Sequence, residues 1–154
     1  MDVTFGIDPG YNSGGYTVCV EKTKNMVAYP LDSISSLLEH LHEYKDLRRR
    51  IVLEDVPPYV GKDIPSSTSF KLGQSCGLIE GLALGLYIPC EKITPKRGQK
   101  GLSDLKGKTG SPRKRVLRDH ATRLYPHLKP TLRTADAILL THFYLTTNIE
   151  SEES

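Results

Sequence analysis

Apolar and polar positions alternate from the start of the chain: Val3, Phe5 and Ile7 are apolar, and the pattern stops at Asp8-Pro9-Gly10. A period of two is that of a β-strand, and Pro-Gly is a break. Two further strand-like stretches, Tyr16–Val20 and Met26–Tyr29, follow the short turns at Gly14-Gly15 and Lys22–Asn25. Together the three predict an antiparallel meander. The period then changes. Ile34, Leu37, Leu38, Leu41 and Tyr44 recur at helical spacing behind a cap at Asp32 or Ser33, with Arg48–Arg50 closing the helix. Ile51-Val52-Leu53 reads as a short buried strand that runs into Glu54-Asp55 and stops at Pro57-Pro58. A polar loop is expected over Val60–Ser69. From Phe70 to Leu86 a helix is expected, with Leu72, Cys76, Ile79, Ala83 and Leu86 turned inward and Phe70 packed beneath it. Ile88–Ile93 is another strand, ending near Pro95. Pro112–Leu124 is a helix with proline in its first turn. The last helix opens at Arg133 or Thr134 and carries Ala137, Leu140, Phe143 and Tyr144.

Strands that alternate with helices need crossovers and some parallel pairing. The expected fold is therefore α/β: a five-stranded mixed sheet, meander first and parallel strands after, with helices on both faces. At 154 residues one domain is expected, over residues 1–148, followed by an acidic disordered tail over 149–154. Gly73, Gly77, Gly81 and Gly85 recur every fourth residue along the second long helix. Each costs about 1 kcal/mol in a helix, so close packing against the sheet or another helix is expected there. Lys71, Gln74 and Glu80 exclude a membrane-embedded glycine motif. No run of 18 apolar residues exists, so no membrane partner is expected. No charged-then-apolar leader opens the chain. Three cysteines without a Cys-x-x-Cys pair argue against a disulfide framework or structural zinc and for a reducing compartment, the cytoplasm of a cell or of a virus's host.

Charge changes this picture. The net charge of +3 conceals a basic segment from Lys92 to Arg118 with ten Lys/Arg opposed only by Asp104, leaving the remainder of the chain acidic. Such a run is commonly a solvated face. This one also carries Gly98, Gly101, Gly107 and Gly110, which allow backbone to approach a ligand closely. Basic, glycine-rich and free of aromatics, it suits the phosphate backbone of a nucleic acid rather than stacked bases.

Three carboxylates stand where apolar runs meet breaks: Asp8, Glu54 and Asp136, the last in Thr134-Ala135-Asp136-Ala137. Each has a bland reading: a turn acid, an ion-pair partner, and a carboxylate suited to a helix dipole. Ends of neighbouring strands lie ~5 Å apart, so Asp8 and Glu54 could face each other. Like charges that close raise a pKa or require a cation. A hard cation such as Mg2+ takes oxygen ligands, and two such ions ~4 Å apart can clamp a phosphodiester for hydrolysis.

These residues carry a family resemblance. Gly6-Ile7-Asp8-Pro9-Gly10, Glu54 in Leu53-Glu54-Asp55-Val56, Lys71-Leu72-Gly73-Gln74 with Gly77, the basic region after Pro95, and Ala135-Asp136-Ala137 stand in the order seen in RuvC-type Holliday junction resolvases. That family belongs to the RNase H-like superfamily, and the resemblance spans about Phe5 to Tyr144. It implies a homodimeric endonuclease, dependent on Mg2+ with Mn2+ able to substitute, that nicks opposing strands of a four-way DNA junction and needs no organic cofactor. It implies Asp8, Glu54 and Asp136 as metal ligands and catalytic residues. Lys100 and Lys114 are the nearest matches to catalytic lysines. The DNA-binding set it implies is Lys96, Arg97, Lys100, Lys106, Lys108, Arg113, Lys114, Arg115, Arg118 and Tyr59, the tyrosine by stacking at the crossover. The helix after Glu54 is the implied dimer contact. The chain departs from the family pattern in one place: Arg133 occupies the position of a fourth ligand, usually an acid or histidine.

Three other readings remain in view. Actin-like kinases share a G-x-D-x-G strand but need two such domains, for which this chain is too short. A junction-binding protein with weak or no cleavage would fit Arg133. A relaxed nuclease would cut flaps, forks or hybrids.

Overall fold

A computed structural model describes residues 1–10, 12–56, 64–99, 102–105, 107–108 and 110–153. Five strands form one sheet in the order β3-β2-β1-β4-β5. The strands β1 (Asp2–Asp8), β2 (Gly15–Val20) and β3 (Asn25–Pro30) form the antiparallel meander, while β4 (Arg48–Glu54) and β5 (Cys90–Ile93) add in parallel beyond β1. The helices are α1 (Ile34–Glu43), α2 (Ser66–Gly85), the single turn α3 (Pro95–Gly98), α4 (Gly110–Leu124) and α5 (Ala135–Glu153). The α/β class and mixed sheet are as expected.

Strand alternation divides the core in two. Val3, Phe5 and Ile7 of β1, with Ile51 and Leu53 of β4, pack with Leu37 and Leu41 of α1 and Ile79 and Ala83 of α2. The opposite face belongs to α4 and α5: Leu117, Ala121, Ala135 and Ile138 pack with Cys19 and Met26, and Leu140 and Tyr144 pack with Val52 and Ile93. Parity along β1 sends Thr4, Gly6 and Asp8 to that second face, and parity along β4 sends Val52 and Glu54 there too.

One close approach brings α5 onto β1. The Thr17 and Thr141 hydroxyls lie 2.6 Å apart in full burial, the Gly6 N–H donates to Thr17 Oγ1 at 3.3 Å, and Thr141 Oγ1 donates to the Ala137 carbonyl at 2.8 Å. A Cβ on Gly6 would collide with Thr141 Oγ1. Only glycine lets the helix come this near, and that nearness carries Asp136 toward Asp8.

Several expectations are corrected. Arg48–Arg50 do not close a helix; they open β4. Their chemistry is satisfied at the rim, where Arg49 Nη1 donates to the Leu41 carbonyl at 2.7 Å and Arg50 Nη1 donates to Tyr144 Oη at 2.6 Å. α2 begins at Ser66, inside the expected loop, and α5 continues to Glu153, through residues assigned to the tail. Phe70 is 67% exposed instead of packed beneath its helix. The glycine ladder is not packed against the sheet: a Cβ at Gly73, Gly77, Gly81 or Gly85 would meet nothing within 4 Å. Among the described residues no helix is long and apolar enough to cross a membrane.

Candidate active site

The last register pair of β1 and β4 is Ile7 with Leu53. One step further, Asp8 and Glu54 emerge side by side on the α5 face. Asp8 is 5% exposed, and its Oδ1 accepts the Gly10 N–H at 3.1 Å, so the Pro-Gly turn fixes its rotamer. Asp136 comes from the first turn of α5, with a side chain only 10% exposed. Lys114 reaches across from α4: its Nζ lies 2.9 Å from Asp136 Oδ2 and 4.0 Å from Asp8 Oδ2. Leu117, in the core three residues on, holds α4 in place for that reach.

The electrostatics follow from burial. Desolvation, then the Asp136 charge, raise Asp8 to about 6 against the offsetting pull of Lys114 and the Gly10 N–H. Glu54 is pushed well above the usual carboxylate range, first by burial and then by the charges of Asp8 and Asp136; in its protonated form it donates to Asp8. Burial acts to lower the Lys114 ammonium, but Asp136 and Asp8 outweigh it and hold it above its ordinary value. Three acids and one cation therefore form one coupled cluster.

The donor set suits a hard cation. All three acids offer oxygen, and Asp136 Oδ1 is buried with no hydrogen-bond partner. Among the described residues no three His, Cys, Asp or Glu side chains are drawn to ligand spacing; the ammonium of Lys114 stands beside two of the acids instead. Asp8, Glu54 and Asp136 are the residues that would hold a metal.

A raised carboxyl binds a proton that the unfolded chain has already released. The stability Asp8 contributes is thus full below about pH 4 and is lost as pH rises through about 6, a loss on the order of 3 kcal/mol. Glu54 acts in the same direction. Metal-free protein is expected to melt lower at pH 7 than at pH 5. Millimolar Mg2+ should restore the midpoint at pH 7 and do little at pH 5. An Asp8→Asn variant should flatten both trends. Thermal melts at the two pH values check this, and a metal-free wild-type midpoint no lower at pH 7 than at pH 5 would contradict it.

Other expected site residues fall into groups. Lys100, Lys106 and Tyr59 lie outside the described residues. Lys96 and Arg97 are exposed on α3, Lys108 follows in the basic segment, and Arg115 is exposed on α4. Arg118 lies 3.7 Å from Asp119. Arg113 Nη2 donates to Gln99 Oε1. Arg133 is not among the acids: its guanidinium donates to Asp32 Oδ1 at 2.6 Å and to the Leu31 carbonyl at 3.0 Å. It pins the start of α5 to the loop before α1. His142 is engaged elsewhere, its Nδ1 2.8 Å from Tyr125 Oη.

Gln99 was missed by the sequence reading. With Thr94 it walls a crevice of about 10 Å3, room for one water, beside Glu54 and Asp136. The signal for it was Thr94-Pro95: Thr94 caps α3 by accepting the Arg97 N–H at 3.3 Å, which sets Gln99 at the end of that turn.

No family model and no curated protein matches this chain. Solved structures do. A Thermus thermophilus RuvC structure is 17% identical, with a TM-score of 0.58 over 95% of this chain and 96% of that one. T. thermophilus RuvC in complex with a Holliday junction substrate is 16% identical, with a TM-score of 0.58 over 96% of each chain. At this identity the likeness concerns architecture, and it spans both chains nearly end to end: this chain has a RuvC-like fold of the RNase H-like kind.

Proposed function

We propose that this protein is a metal-dependent endodeoxyribonuclease that resolves four-way DNA junctions by paired nicks. The observation that carries the reading is the convergence of Asp8, Glu54, Asp136 and Lys114, drawn from β1, β4, α5 and α4, at one end of the sheet. The RuvC-like fold supports the same reading, since one of its matched structures is bound to a Holliday junction.

Mg2+ bound to these oxygens would supply a Lewis acid for the attacking water and the leaving 3′ oxygen. The chain's own residues do the rest. Burial keeps Asp8 and Glu54 poised to exchange a proton for a cation. Lys114, anchored on Asp136, offers an ammonium to the charge that develops on the scissile phosphate. Lys96, Arg97, Lys108, Arg113, Arg115 and Arg118 supply cations along the flanking backbone, joined in sequence by Lys100 and Lys106.

A homodimer suits a substrate with near-two-fold symmetry. The open glycine ladder of α2 supports it, as do the exposures of Leu78 (52%), Leu84 (81%) and Tyr87 (94%) on and just after that helix, since a second copy would cover them. The engagement of Arg133 with Asp32 favours a second outcome, a junction-binding protein that cuts poorly, because no fourth acid joins the three.

Incubation of a labelled four-way junction, a flap, a fork and a linear duplex with protein and Mg2+ tests the reading. Paired symmetric nicks confined to the junction are expected. Cuts of equal efficiency in flaps and forks would indicate the relaxed nuclease, and binding without nicks the binding protein. If about four phosphates are neutralised, junction affinity should fall about 10²-fold between roughly 50 and 200 mM salt. An affinity indifferent to salt would exclude the basic segment as the contact.

A further inference from the structure

Gln99 stands beside the carboxylates and is used by none of the chemistry above. Its main chain is tied at the end of α3: its N–H donates to the Pro95 carbonyl at 3.0 Å, and its carbonyl accepts the Leu102 N–H at 3.1 Å. Its side chain is tied from α4, where Arg113 Nη2 donates to Gln99 Oε1. A guanidinium carries donors only, so the oxygen of the carboxamide is the atom that must face it. The amide nitrogen is the end left over, and among the described residues nothing accepts from it.

The crevice that Gln99 shares with Glu54 and Asp136 measures about 10 Å3, the space of a single water. Much of its wall is Pro95, Gly98, Leu139 and Leu140, whose side chains carry no polar atom. Asp136 is 10% exposed at its side chain; Oδ2 holds the Lys114 ammonium, while Oδ1 is buried with no partner. A buried acceptor left without a donor costs free energy. One water satisfies both needs: it donates to Asp136 Oδ1 and to Glu54, and its oxygen accepts an amide hydrogen of Gln99. Three polar partners are within the usual two to four of a buried water. A cation suits the same space less well, because the amide presents hydrogens to it and the Arg113 charge stands behind the amide.

We propose that Gln99, oriented by Arg113, is a positioning residue that fixes the Asp136 carboxylate through one water, ready for the cation. The inference rests on the metal-dependent reading above and deepens it. With Oδ2 on Lys114 and Oδ1 on the water, Asp136 is held from two sides before a metal arrives. Outer partners of this kind are typically worth about 10–100-fold in metal affinity or activity. Gln99 thereby adds a fourth polar group to the three acids, a neutral one, while Arg133 is engaged with Asp32. It also gives Arg113, grouped above with the cations of the flanking backbone, a task performed without DNA.

The probe is Mn2+ alone, titrated into DNA-free protein and followed by the electron paramagnetic resonance of the free ion. Gln99→Met keeps the length of the side chain and removes both amide groups, so its dissociation constant for Mn2+ should rise about tenfold. Arg113→Met should raise it comparably, although among the described residues Arg113 bonds to Gln99 and to no acid. The double variant should bind no more weakly than the weaker single one, since both act through one carboxamide. Metal-free melting temperatures should stay near the wild-type value, which separates positioning from a defect of folding. Junction cleavage by Gln99→Met, slow at low Mg2+, should return to within about threefold of wild type at saturating Mg2+. Unchanged Mn2+ affinity in Gln99→Met overturns the proposal, as do losses that add in the double variant. Gln99→Glu that binds Mn2+ more tightly than wild type overturns it too, because the crevice would then hold the cation itself. Wild-type protein that binds Mn2+ yet cuts no DNA removes the nuclease reading and leaves Gln99 its role. Wild-type protein that cuts junctions, beside a Gln99→Met variant of equal Mn2+ affinity, removes this inference alone; wild-type protein that binds no Mn2+ removes both.

Discussion

Asp8→Asn is expected to lower junction cleavage by about 10³-fold or more in saturating Mg2+ while leaving junction binding intact. The substitution keeps the shape of the side chain and the oxygen that accepts the Gly10 N–H, so the turn after β1 should stay closed. What it removes is a negative charge at the most buried of the three acids. Without that charge the remaining pair, Glu54 and Asp136, is opposed by Lys114 and attracts a further cation more weakly. Binding is expected to draw on the basic segment, all of whose cations but Lys114 stand outside this cluster, and should hold or tighten slightly as an acid near the phosphates disappears. Rates from gel-resolved single-turnover cleavage, with affinities from the same junction, separate the two effects. Cleavage by the variant within tenfold of wild type would remove Asp8 from the ligand set.

Lys114→Met should cost about 10²-fold in the cleavage step, comparable to the loss of one transition-state donor in other enzymes. Methionine preserves most of the stem while deleting the ammonium beside Asp136 and Asp8. The affinity for junction should change only about twofold, because one cation among the many of the basic segment is lost. Metal-free protein should also lose stability at pH 7, since three acids then share a buried site without a counter-ion, and Mg2+ should restore it. A rate loss that excess enzyme fully overcomes would make Lys114 a backbone contact instead.

Much of this was legible in the chain. Alternation in β1 and β2 and the apolar run of β4 declared the sheet, because these strands are buried on at least one face and their side chains have few alternatives. Asp8 and Glu54 were legible for the same reason: a carboxylate ending a buried strand is conspicuous. Failures came where local pattern and tertiary partner disagree. Three arginines disguised the start of β4: Arg48 pairs with Asp2 of β1, Arg49 with the Leu41 carbonyl of α1, and Arg50 with Tyr144 of α5, 94 residues away. Arg133 was read only as a missing ligand, because its partner Asp32 is 101 residues away in sequence. The glycines of α2 announced a close contact without saying with what. Lys100 and Lys114 were equal candidates by the family resemblance, and it is the placement of α4 over the sheet that brings Lys114 to Asp136.

The contact of α5 with β2 through Thr17 and Thr141 spans 124 residues of sequence. Closing so long a loop is among the slower steps of folding, and here it is the step that assembles the acids. A chain emerging from the ribosome could complete the meander, β4 and much of α2 while Asp136 was still unmade. Such a precursor has two acids, no Lys114 and no third ligand. On the nuclease reading, the capacity to break DNA would arrive only with the last helix, and partially made or partially unfolded copies would lack it.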